Sequence, residues 1–315
     1  MTNPNSPAAL EAILTIVGFN LVKGLLENNF TNIHVIDKNN HNLKTLNQLF
    51  KEIKTYHFDL SNKNGWSHIF VKDAKVIILH AQISSLYWED FQKNTIDSTR
   101  NLIEVLSEKK INPSNIIFTS SSVVNSIAND FYVRSKTFQE KLIQKFSSDI
   151  LILRPTLMFG LFDRKHLGWL SRFMEKTPLF PIPGNGRYLR QPLFVEDYVN
   201  IIISSLSNKI KGIYDISGKE KISYIDIIKV IKRQKKSKTI IVQIPYLCFF
   251  LLLKIWALFD KNPPFTVYQL RALVLPETFP SSKWESIFDV KPTKFEQAAK
   301  KTFGKNKFNK IRLKF

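Results

Sequence analysis

Tyr132 and Lys136 stand four positions apart in YVRSK (132–136), which on a helix puts both on one face. An ammonium beside a phenol draws its pKa down from ~10 toward the working range, so a tyrosinate can take a hydroxyl proton while hydride leaves the same carbon. Nine tyrosines among many lysines make one such pair unremarkable by itself. Its context is the run FTSSSVVNS (118–126), where Ser121 precedes Tyr132 by 11 residues at the end of an apolar, strand-like stretch. Ligand crevices of open α/β sheets lie beyond the carboxyl ends of strands, so a serine there and a tyrosine on the next helix can reach one substrate oxygen. Ser120 and Ser122 are alternatives in register, and a plain polar exit from the strand is the competing reading.

A second group of residues suits a dinucleotide. ILTIVGFNLVKGLL (13–26) reads as a strand, a tight turn and an amphipathic helix, but holds a single glycine, Gly18, before its helical part. Counting back in threes gives Thr15 and Ala12 where a phosphate-binding turn has glycines. Alternatively 13–17 is itself the first strand and the turn is shortened. Asp37 closes the next apolar run 19 residues after Gly18, near the ~20 at which an acid bonds the ribose hydroxyls. Its charge repels a 2′-phosphate and favours NAD over NADP.

The elements needed to position these groups are legible as alternation. Strand-like runs at 12–17, 32–37, 54–60, 74–81, 115–121 and 149–155 are separated by helical patterns such as 20–27 and 94–108. Continuous apolar runs imply burial on both faces, so the expected fold is α/β with a doubly wound parallel (Rossmann) sheet. Past Pro155 the chain turns rich in Pro and Gly, as in FPIPGNG (180–186), which indicates a smaller, interleaved C-terminal lobe. Residues 1–160 are expected to form the dinucleotide domain, with 193–216 returning to it, and 161–192 and 217–315 the substrate lobe.

With 315 residues, 44% of them hydrophobic, the chain can bury one large core or two modest ones. Lone Cys248 forms no internal disulfide, and MTNPNSPAAL lacks the features of a signal peptide, so a cytoplasmic location is expected. The net charge of +20 favours anionic partners, yet no nucleic-acid recognition module accompanies it. The basic runs 232–238 and 300–315 read as solvated surface. The apolar stretch 244–259 is opened by Pro245, broken by Lys254, and shorter than the ~20 residues that span a bilayer. A helix half-buried in the protein is expected there, or a peripheral contact with an anionic membrane.

The chain resembles the extended short-chain dehydrogenase/reductases of the NAD-dependent epimerase/dehydratase family over about 13–295. The likeness rests on FDL (58–60), VIILHAQIS (76–84), NTIDSTRNLIEVL (94–106), SSS with YVRSK, LRPTLMFG (153–160) and PGNGRYLRQPLFVEDYVN (183–200). It implies Tyr132 as general base, Lys136 as its electrostatic partner and ligand of the nicotinamide ribose, and Ser121 as the hydroxyl orienting substrate, with Ser122 beside it. Asp37 and Asp59 would hold the adenosine half of NAD, with Gly18 and Leu60 also against the cofactor, Ala81 would approach the pyrophosphate or ribose side, and Pro155 would flank the nicotinamide. Arg190 matches an arginine that grips the substrate diphosphate, a role a bidentate guanidinium suits; a second such arginine has no clear counterpart, Arg271 being the nearest. Dehydratases of the family carry an Asp-Glu pair after the residue equivalent to Ser121. Ser122 and Val123 follow here, so the resemblance implies epimerisation or simple oxidoreduction of a nucleotide sugar through a keto sugar. It also implies a homodimer through the helices beginning near Asn94 and Tyr132. A non-catalytic member that binds NAD weakly or not at all, a scaffold or membrane-peripheral protein, is the alternative.

Overall fold

The computed structural model describes residues 8–11, 16–126, 129–259, 266–280, 283–308, 311 and 313. Seven parallel strands make its main sheet: β1 (Ala8–Glu11), β2 (Ile33–Asp37), β3 (Lys54–His57), β4 (Lys75–Ile78), β5 (Ile116–Thr119), β6 (Leu151–Pro155) and β7 (Gly212–Ile216). Their order is β7-β6-β5-β4-β1-β2-β3. The chain therefore winds outward one way from β1 to β3, then returns beside β1 with β4 and winds the other way. The crevice of such a sheet opens where the winding reverses, between β1 and β4.

Alternation of side chains explains why both faces are covered. Ile77, Ile117, Leu151 and Leu153 point into one core layer, while Val76, Ile78, Ile116, Phe118 and Ile152 point into the other. The first layer is closed by α1 (Ile16–Glu27) and α2 (Asn40–Leu49), and the second by α3 (Ser98–Glu108) and α4 (Phe131–Phe146). A π-helical turn, Gln92–Asp97, precedes α3, and in it the Thr95 hydroxyl accepts a hydrogen bond from the Gln82 backbone N–H, 2.8 Å away.

The smaller lobe gathers α5 (His166–Lys176), the paired parallel strands Leu179–Pro183 and Ile240–Ile244, α7 (Tyr224–Lys235) and α10 (Phe295–Phe303). Phe159, Phe180, Phe194, Ile228 and Phe295 are its core. α6 (Val195–Ser207), in contrast, packs on α1 against the main sheet. Two more helices, α8 (Tyr246–Phe259) and α9 (Val267–Val274), lie against each other.

Two expectations are corrected. Of the strand expected at 12–17 only Ile16 and Val17 are described, and they belong to α1; the pairing with β2 and β4 is made by Ala8–Glu11. Residues 12–15 lie outside the described ones. Val17, Leu21, Val22 and Leu25 recur at helical spacing and are buried, so the apolar pattern from Val17 onward is that of a helix. The helix at 246–259 is covered less than expected: Phe249, Phe250 and Leu253 are partly covered and none of its side chains is fully buried.

The α1–α6 contact depends on Gly24. A Cβ there would sit 2.6 Å from Val199 Cγ1 and 3.1 Å from Ile203 Cδ1. Overpacking of this kind costs about 1–3 kcal/mol, so Gly24→Val should lower the urea unfolding free energy by that much. An unchanged midpoint would show that the two helices can separate freely.

Candidate active site

Each of the three central side chains is presented by a local device. The Asp130 carboxylate caps α4, accepting from the Val133 N–H at 2.9 Å, and so starts the helix with Tyr132 in its first turn. Ser121 caps the short 3-10 turn Ser122–Asn125 at the end of β5, with the Val123 N–H 3.4 Å from its hydroxyl. The Tyr132 phenol and Ser121 hydroxyl are hydrogen-bonded. Strand end and helix start thus meet at the reacting groups.

Lys136 lies one turn further along α4 and is 2% exposed. Its ammonium donates to the Thr119 carbonyl (3.0 Å) and the Gln139 Oε1 (2.7 Å) and sits 4.7 Å from the centre of the Phe118 ring. Burial pulls its pKa down to about 7, against the attraction of Glu140. Tyr132 behaves otherwise than its spacing from Lys136 suggested. Burial pushes the phenol above its ordinary range, the hydrogen bond with Ser121 pulls the other way, and Asp130 adds to the rise. The ammonium faces Thr119 and Gln139, so it does not lower the tyrosine in this state of the protein.

The three adjacent serines are told apart by their partners. Ser120 is buried and donates to Glu140, whose carboxylate also takes the Arg154 Nε at 3.0 Å and a second guanidinium nitrogen. Ser121 and Ser122 both line an open cleft of about 350 Å³ with Tyr132 and Lys136. Ala81 and Pro155 form its walls, and Ile16 and Val17 at the start of α1 close one end. Ser122, Thr156 and Glu277 are shared with a second chamber of about 610 Å³ that includes Asp215 and Phe279.

The other cofactor candidates lie beyond the cleft. Asp37 is buried at the end of β2 and accepts from the Asn39 N–H at 2.7 Å. Asp59 accepts from the Ser61 N–H at 3.0 Å with the Lys93 ammonium 3.6 Å away. Burial alone would raise its pKa, but hydrogen bonds from Ser61 and the charges of Lys38 and Lys93 hold it below the usual carboxylate range. Leu60 is buried, and its carbonyl accepts from Asn101 at 2.9 Å. Gly18 is buried within the first turns of α1. Acids at the ends of β2 and β3, with an apolar cleft wall and a buried ammonium across the switch point, fit the two ends of a dinucleotide.

Arg190 does not line the cleft. Its guanidinium donates to the carbonyls of Leu189 (2.9 Å), Leu275 (2.7 Å) and Leu273, and the Glu277 carboxylate lies 3.8 Å away. It therefore ties the end of α9 to Glu277, which does line the cleft. Arg271 is exposed, stands over the Phe250 ring and does not line the cleft. Residues the sequence reading passed over are Gln139, Glu140, Arg154 and Glu277. The first two could have been found, because they sit three and four positions after Lys136 on the same helical face.

A model of the NAD dependent epimerase/dehydratase family matches residues 15–217. The chain belongs to that family. No curated protein matches it by sequence. Solved structures share the fold at low identity. UDP-glucuronic acid 4-epimerase from Bacillus cereus, in complex with NAD, is 18% identical with a TM-score of 0.72, covering 94% of this chain and 95% of that chain. UDP-N-acetylglucosamine 4-epimerase from Methanobrevibacter ruminantium M1, in complex with UDP-N-acetylmuramic acid, is 17% identical with a TM-score of 0.71, covering 95% and 97%. UDP-glucose 4-epimerase from Thermotoga maritima, with UDP-glucose, is 16% identical with a TM-score of 0.70, covering 94% and 97%.

Two outcomes follow for this family member. Lys136 loses its proton near 7 when folded but near 10.5 when unfolded, so between these values the unfolded chain binds more protons and stability rises with pH. Unfolding midpoints at pH about 7 and about 9 should climb in the native protein relative to Lys136→Met, and parallel slopes would refute the assignment. Removing Glu140 leaves a guanidinium and a buried serine without their acceptor. Glu140→Ala should cost about 3–5 kcal/mol in urea unfolding, and a loss below about 1 would show that Arg154 finds solvent instead.

Proposed function

We propose that this protein is an NAD-dependent enzyme that epimerises or oxidoreduces a nucleotide sugar through a keto-sugar intermediate. The observation that carries the reading is the Ser121–Tyr132 hydrogen bond beside the buried Lys136 ammonium, set at the carboxyl end of β5 in a cleft that reaches the start of α1. NAD, when bound, accepts hydride from a sugar carbon and returns it. Tyr132 takes the proton of the hydroxyl on that carbon and later gives it back, while Ser121 orients the hydroxyl and Ser122 contacts the sugar. Donation from Ser121 stabilises the phenolate, and Lys136 holds positive charge within reach of the ribose. Asp37, Asp59 and Leu60 bind the adenosine half, Gly18 lets the start of α1 approach the pyrophosphate, and Ala81 and Pro155 bracket the other half.

The division of labour is that residues 1–160 with 193–216 bind NAD, and 161–192 with 217–315 supply the sugar side. Arg190 grips the diphosphate by exchanging its carbonyl partners for phosphate oxygens. A cytoplasmic homodimer through α3 and α4 is part of the reading, supported by Phe138, which is 45% exposed on α4 with Arg100 of α3 over its ring. Contact with a membrane is peripheral and involves 244–259. The specific feature that favours a non-catalytic role is the presence of Ala12 and Thr15 where phosphate-binding glycines are usual.

Titration of nucleotide-stripped protein with NAD separates the two. Micromolar affinity, weakened by Asp37→Ala, and turnover of UDP- or dTDP-sugars that falls about 10²–10⁴-fold in Tyr132→Phe with NAD binding retained, support the enzyme. Absence of binding at millimolar NAD would leave the non-catalytic role.

A further inference from the structure

We propose that α8 docks the protein onto an anionic phospholipid bilayer, lying in the plane of the boundary between headgroups and acyl chains. This names the partner of the peripheral contact and rests on that part of the proposed function. The helix reads YLCFFLLLKIWALF, with one charge in its 14 residues. In an ordinary soluble helix one stripe of such residues would be covered. Here Leu247 is 65% exposed, Trp256 53%, Leu258 81% and Phe259 87%. Apolar side chains in this density, left open on one element, mark an interaction surface. At 1.5 Å per residue the helix reaches about 21 Å, too short to span. Among the described residues no helix is long and apolar enough to cross a membrane.

The charges at its margin select the occupant. Phe250 on the inner side of α8 has the Lys254 ammonium 5.1 Å and the Arg271 guanidinium 5.9 Å from its ring centre. At the other end, the turn carrying exposed Arg187 is joined to the start of α8, because the Gly184 N–H donates to the Ile244 carbonyl at 2.7 Å. No carboxylate occurs from 240 to 259 or from 266 to 276. A second copy of the chain would bring two bodies of +20 and two sets of these cations together around an apolar contact. Anionic headgroups neutralise the same cations while the acyl layer takes the leucines, so apolar burial and attraction to anionic lipid act together. Tyr246 and Trp256 add amphipathic rings of the kind that settle at headgroup depth.

Docking bears on the active site through the chain itself. α8 packs on α9, whose last carbonyls Arg190 holds, and Arg190 meets Glu277 at the cleft. The bilayer contact and the sugar side of the cleft thus belong to one lobe.

Flotation of the full chain with vesicles of phosphatidylcholine, alone or mixed with phosphatidylglycerol, tests this. Binding to the anionic vesicles should exceed that to neutral ones about tenfold at low salt and decline as salt is raised. The exposed double variant Leu251→Glu with Trp256→Glu should abolish it with the thermal midpoint unchanged, and Lys254→Glu with Arg271→Glu should remove the preference for anionic lipid. Equal binding to both vesicles would overturn the role of the cations while leaving a peripheral contact in place. Binding to neither would overturn both, as would light scattering that shows a dimer dissociated by Leu251→Glu. NAD titration reports separately on the catalytic reading.

Discussion

A buried ammonium must find oxygen atoms, and the arrangement around Lys136 is built on that requirement. Its nitrogen takes the last carbonyl of β5, at Thr119, and the amide of Gln139 on its own helix. Gln139 in turn donates to the His80 carbonyl after β4 (3.0 Å) and to Thr99 on α3 (3.0 Å). Two strand ends and two helices are therefore pinned to a single charge. Glu140, next along, gathers Ser120 and Arg154 of β6 in the same way. Breaking such a set exposes no water to replace the lost partners, so its members hold one another in place.

That constraint acts at the carboxyl ends of β4, β5 and β6, beside the reversal of winding in the sheet. The outward layers are ordinary packing, with alternate strand residues serving opposite cores. The strand ends are not, since there the backbone of β5 must release Thr119 to Lys136, give Ser120 to Glu140 and present Ser121 to Tyr132. Three successive residues do three different things because a strand that is ending turns each side chain to a different neighbour. The raised phenol pKa follows from this enclosure.

The smaller lobe is held differently. Aromatic packing of Phe159 against Phe194, Phe295 and Phe303 forms its centre, and Arg190 and Glu277 connect it to the cleft by charge. α8 is attached to this lobe yet withholds its apolar side chains from any core. Its inner side meets α9, and its outer side leaves apolar area from which a partner would exclude water.

Much of this was legible in the residues alone. Alternation of apolar runs specified a parallel, doubly wound sheet, because burial on both faces demands continuous hydrophobicity; the four-residue spacing of Tyr132 and Lys136 specified one helical face, because the helix period is fixed. The start of the fold was not legible, since ILTIV fits a buried helix as well as a strand and only pairing of 8–11 with β2 and β4 decides. Which serine meets the tyrosine, where the Lys136 ammonium points, and why Arg190 meets carbonyls were likewise decided by tertiary structure. Those outcomes depend on partners brought in by the fold, such as the Thr119 carbonyl 17 residues from Lys136 and the Leu273 and Leu275 carbonyls 83 and 85 residues from Arg190, and spacing along the chain does not announce them. Sequence periodicity reports what a residue's own element needs; only the assembled fold determines which buried polar group satisfies which other.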